Sequence, residues 1–170
     1  MPRRASGFTL LELLVYIGIV AVVITAVTAL TIDLLRGRAK ATSLEVVNQN
    51  ARLVLERMTT AIREANLVNG PPASIFGSSP GRLSLAMPEV GRNPTVFDVF
   101  ANELRITEGS GGVATPLTSP DVEVASLTFT HLNQATSEGI QINLTVRRKN
   151  VSGAPEFTVV QTYVAGTIVR

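Results

Sequence analysis

From Leu13 to Ile32 the chain runs through twenty consecutive uncharged residues, bounded by Glu12 and Asp33. As a helix at about 1.5 Å per residue this run spans roughly 30 Å, the hydrocarbon thickness of a bilayer. A secretory signal peptide is the competing reading. Its apolar core is usually about 7–15 residues and ends in a small-residue cleavage site. The run here is longer and continues without a turn signal into charged residues, which favours a retained membrane helix. The remainder of the 170-residue chain is long enough for one modest globular domain.

Composition narrows the function classes. The sequence pI is about 9.5, but Arg3 and Arg4 lie in the extreme N-terminus. Residues 8–170 carry thirteen Lys plus Arg against thirteen Asp plus Glu, so the bulk of the chain is formally neutral and no general basic surface points to nucleic acid. With no cysteine in the chain, disulfides, thiolate metal sites and a cysteine nucleophile are excluded. Charge counting leaves the orientation of the helix open. Arg3 and Arg4 flank one side, and Arg36, Arg38 and Lys40, offset by Asp33, flank the other.

Helical character is expected to persist beyond the membrane run. Neither proline nor glycine occurs from Arg38 to Asn69. Leu44, Val47, Ala51, Val54, Met58, Ala61 and Ala65 fall at spacings of three and four, which is one stripe on a helix. Arg52 and Glu56 are placed to pair on the outer side. Asn69-Gly70-Pro71-Pro72 is the expected stop, so one helix from Phe8 to Val68 is anticipated, with Gly18 and Gly37 as points of bending.

After Gly70 the texture becomes β-like. Arg82 to Met87, Thr95 to Phe100, Leu104 to Thr107, Val122 to His131, Ile140 to Val146 and Phe157 to Val164 read as strands. Residues 70–81 and 109–112 read as loops. Short connections imply antiparallel pairing, with one sheet face burying the helix stripe. The expected class is α+β. The divisions are 1–7 as a leader, 8–35 as the transmembrane helix, 36–69 as its amphipathic continuation and 70–170 as a β-rich domain.

The sharpest local signal is Gly7-Phe8-Thr9-Leu10-Leu11-Glu12, followed by Leu13 to Gly18. Glu12 stands at the edge of an apolar helix, where an unpaired carboxylate in lipid costs several kcal/mol. No Lys, Arg or His lies within a helical turn of it. A cut after Gly7 would expose an amine on Phe8, which can pair with Glu12 within a chain or between neighbouring chains.

Residues 4–18, RASGFTLLELLVYIG, resemble the type III signal of type IV prepilins and type II secretion pseudopilins. The resemblance implies a pilin-like fold, with the long helix packed on a mainly antiparallel sheet. It further implies cleavage after Gly7 by prepilin peptidase, N-methylation of Phe8, and a Glu12 contact to the Phe8 amine of an adjacent subunit. Partners would be other pilin or pseudopilin subunits, an inner-membrane assembly platform and membrane lipid. The leader would be cytoplasmic and the β-rich domain extracytoplasmic. Major pilins of this group commonly carry a disulfide and a proline in the membrane helix, and both are missing here. Val124-x-x-Leu127-x-Phe129 is similar to a strand of minor pilins and J/W-type pseudopilins, so a minor subunit is expected.

The remaining motifs carry less. A lone histidine, His131, lacks the companions of a hydrolase triad or zinc site. Asp121 and Glu123 do not form an EF-hand pattern. No enzymatic activity, metal or cofactor is expected. Arg147-Arg148-Lys149 is a candidate nucleic-acid contact, with a solvated hairpin end as the simpler reading. The rival function is a monomeric, single-pass anchored binding protein, such as an adhesin or a DNA receptor.

Overall fold

Helix α1, Leu10–Glu64, is continuous through both Gly18 and Gly37, so neither glycine interrupts it. The computed structural model describes residues 9–134 and 137–169, and these fall into two compact units that divide after Ala39.

The first unit is the apolar part of α1. Its most apolar window is entirely unburied by the rest of the protein, and residues 10–38 are exposed throughout. Three threonines interrupt the aliphatic run, and each satisfies its own hydroxyl. Thr25, Thr28 and Thr31 donate to the carbonyls of Ala21, Ile24 and Val27, each at 2.8 Å. A hydroxyl bonded to the carbonyl one turn back needs no external partner, so it can be tolerated in hydrocarbon.

The second unit begins at Lys40. Here α1 buries Val47, Ala51, Val54, Met58, Ala61 and Ile62, with Ala65 just beyond its end. This is the expected stripe with Ile62 added, while Leu44 is only half-buried. The stripe shares one core with Leu83, Leu85 and Phe97 and with Leu127, Phe129, Ile140, Ile142 and Leu144.

Two sheets form in place of the single one expected. Strands β1 (Leu67–Val68), β2 (Leu83–Ala86), β3 (Thr95–Phe100), β4 (Glu103–Glu108) and β5 (Thr115–Pro116) form an antiparallel meander in that order. Strands β6 (Val122–Gln134), β7 (Ser137–Arg148) and β8 (Val160–Ile168) form a second antiparallel sheet. Gly109, at φ +82°, follows β4, where a Cβ would meet the Gly91 carbonyl oxygen at 2.6 Å. Only glycine fits such a left-handed, crowded position.

Several boundaries move. The helix ends at Glu64, before the glycine-proline stop, because the next residues find strand partners. Leu67 and Val68 pair with Ala86 and Leu85, and the Asn66 N–H donates to Ala86 O at 2.9 Å. Pairing with a buried strand thus outweighs local helix propensity. At the other end, Pro155–Phe157 form a 3-10 turn, so β8 starts three residues later than expected and runs on to Ile168. The Arg52–Glu56 pair does not form among the described residues. Arg57 instead reaches Glu108 on β4 at 3.0 Å.

An ion network ties the helix end to the first sheet. The Arg92 guanidinium donates to Glu64 and to Glu108, both at 3.0 Å. The hydrogen bond to Glu64 is the largest cause of a pKa held above the ordinary arginine value, with Glu108 adding to it and burial opposing. Ser84, buried on β2, donates its backbone N–H to the Ser74 hydroxyl at 2.9 Å.

Candidate processing and assembly site

Thr9 opens the described chain and sets the start of α1. Its Oγ1 accepts a hydrogen bond from the Glu12 backbone N–H at 3.3 Å, and Leu13 N–H donates to its carbonyl at 3.2 Å. Thr9 is therefore the N-cap, and Thr9-Leu10-Leu11-Glu12 has the spacing of a capping box. The local rule S/T-x-x-E was legible in the sequence, yet the cap role of Thr9 is not among the expectations drawn from it.

The cap has a positional consequence. It starts the helix at Leu10 and puts Glu12 in its first turn, where the backbone N–H dipoles favour a carboxylate. Glu12 is exposed, and no ion pair to its carboxylate occurs among the described residues. Gly7 and Phe8, the expected cleavage pair, lie outside the described residues. The arrangement is thus a capped helix end with a carboxylate in the first turn, followed by an apolar, threonine-satisfied span.

Residues 2–28 match the family model of the prokaryotic N-terminal methylation motif. The chain carries a prepilin-type processing signal. Comparison with curated proteins and with solved structures gives no match. The prepilin-type signal covers Gly7, Phe8 and Glu12 together with most of the apolar run. The α+β arrangement behind it, one long N-terminal helix packed through its second part on antiparallel sheets, is a pilin-like fold. The apolar part of α1 is long and apolar enough to cross a membrane once.

The basic cluster is largely engaged within the protein. Arg147 pairs with Glu123 at 2.8 Å. Arg148 donates to the buried Ser43 hydroxyl and stacks over Phe157, 5.0 Å from the ring centroid. Lys149 is exposed, and its backbone N–H donates to Asp121 O. Glu123 is therefore an ion-pair partner of Arg147. His131 stacks on Phe76 with centroids 5.3 Å apart, and its Nε2 lies 2.7 Å from Glu138 Oε1. These contacts join β6 to β7 and to the loop before β2.

Proposed function

We propose that this chain is a structural subunit, of the minor type, of a type IV pilus or type II secretion pseudopilus, and that it is not an enzyme. The observation that carries the proposal is the methylation motif over residues 2–28 with Glu12 standing five residues after the Gly7–Phe8 bond. Prepilin peptidase cuts after Gly7 and methylates the amine of Phe8. That amine becomes a partner for the Glu12 carboxylate, which makes no ion pair among the described residues. Pairing between neighbouring chains stacks the apolar helices side by side and excludes subunits without either group. The N-terminus is cytoplasmic and the β-rich unit extracytoplasmic, with the inner-membrane assembly platform extracting the processed chain from lipid. The absence of cysteine from the chain and of proline from residues 8–68 supports the minor role.

The test is Glu12→Leu in the full chain. Stranding one charge of a buried pair costs ~3–5 kcal/mol, so incorporation into filaments should fall by about a hundredfold or more. Membrane fractionation should be unchanged. Normal incorporation of the variant would refute the assembly role of Glu12.

A further inference from the structure

Three cross-links fix which strand ends lie where the second unit begins at Lys40. Arg148 donates to Ser43, Tyr163 donates to Asn48, and Arg63 donates to Thr167 at 3.3 Å. Strand β8 therefore runs in the same direction as this part of α1, and the β7–β8 connection, residues 149–159, stands beside residues 40–43. At the opposite end of the unit the cations are paired. Arg92 meets Glu64 and Glu108, and His131 meets Glu138.

At the Lys40 end the connection borders a cleft of about 520 Å³ lined by Arg147, Arg148, Lys149, Val151 and Val160, with Glu123 in its wall. Glu123 is committed to Arg147 at 2.8 Å. Among the described residues, Arg148, Lys149 and the exposed Lys40 have no carboxylate partner. The bond to Ser43 uses one of the five N–H donors of the Arg148 guanidinium. The connection is held in shape by its own polar groups. Lys149 N–H donates to Asp121 O at 2.8 Å. Asn150 Nδ2 donates to Ala154 O at 2.9 Å and to Thr158 Oγ1 at 3.1 Å, and the Ser152 hydroxyl donates to Asn150 Oδ1 at 3.1 Å. Val151 stands beside the cations, 89% exposed.

We propose that this cleft binds the phosphate of an anionic phospholipid in the membrane that holds the apolar part of α1. Arg148 and Lys149 supply charge-assisted N–H···O bonds to a phosphodiester. Val151 and Val160, both exposed, offer apolar contact to the glycerol and first acyl carbons. Connectivity favours lipid over nucleic acid as the source of the phosphate. Lys40 follows Leu35 by five residues, which is about 8 Å at ~1.5 Å per helical residue and comparable with the Debye length of ~8 Å at physiological ionic strength. Residues 8–170 are formally neutral, so the chain has no extended basic face for a polyanion. The inference goes beyond the filament role. It needs the membrane span but not the Glu12 contact, and a monomeric anchored chain would dock in the same way.

The test uses the full chain reconstituted in vesicles. The chain lacks cysteine, so Val151→Cys can carry a single environment-sensitive fluorophore. In an equimolar mixture of phosphatidylcholine and phosphatidylglycerol at low salt, its emission should shift to the blue. In phosphatidylcholine alone it should not, and high salt should reverse the shift. Val90→Cys, equally exposed and close to the paired Arg92, should report no difference between the two lipids. Each cation near an anionic surface strengthens adsorption about fivefold, so Lys40→Gln with Lys149→Gln should weaken docking about 25-fold. Both side chains are exposed, so the fold is retained. An equal Val151 emission in the two lipids, or a full shift in the double variant, overturns the proposal. Inorganic phosphate or a single-stranded oligonucleotide added to the phosphatidylcholine vesicles should leave the emission unchanged. A change from either as large as that from phosphatidylglycerol would overturn the lipid assignment. None of these outcomes bears on the Glu12 test.

Discussion

The two parts of α1 obey different rules although they belong to one helix. Residues 13–32 carry no charge anywhere on the helix circumference, and residues 10–38 bury nothing within the protein. From Lys40 to Glu64 the apolar residues narrow to a stripe, and that stripe is buried against the sheets while Glu45, Arg52 and Glu56 remain outside. A helix hydrophobic all round requires an apolar surrounding that the chain does not itself supply, whereas a striped one needs only a single packed face. The stability of the second unit is therefore internal, while the first needs an apolar surrounding from outside the chain.

The contrast can be broken most directly by truncating buried apolar groups. Phe97→Ala should destabilise the second unit by about 3–5 kcal/mol, because the fully buried ring leaves a cavity. Val23→Ala, in the exposed apolar part, should change the same transition by no more than about 0.5 kcal/mol. Denaturant unfolding of the full chain in detergent measures both, and equal losses would erase the distinction. A smaller effect is expected from Ser74→Ala, which leaves the buried Ser84 N–H without its acceptor and should cost about 1–3 kcal/mol. Smaller again is Arg92→Ala. Its pairs to Glu64 and Glu108 are partly solvated, so a loss of about 1–2 kcal/mol is expected, diminishing at high salt. Salt-independent destabilisation by Arg92→Ala would mean that lost packing, and not the network, is what matters.

Periodicity made the broad plan legible. The stripe of Val47 to Ala65 and the alternation of Ile140 to Val146 each depend on burial of one face, and burial is what hydrophobic spacing encodes. What periodicity misses is which strands share a sheet and where a helix yields to a strand. Leu67 and Val68 continue a helical pattern locally, yet they pair with Leu85 and Ala86, nearly twenty residues on. The network of Arg57, Glu64, Arg92 and Glu108 was hidden for the same reason, since its members come from three separate elements. At the N-terminus, Glu12 stood out as a charge without a neighbour. The role of Thr9 could have been read from its spacing to Glu12, because capping is local chemistry.

The central claim is that this helix is delivered as a prepilin, and the chain's own N-terminus tests it. Mass spectrometry of protein extracted from membranes of cells with an active prepilin peptidase should show a mature chain starting at Phe8, its amine carrying one methyl group. A chain still beginning at Met1 or Pro2 in those membranes would contradict the claim and leave α1 as a plain membrane anchor.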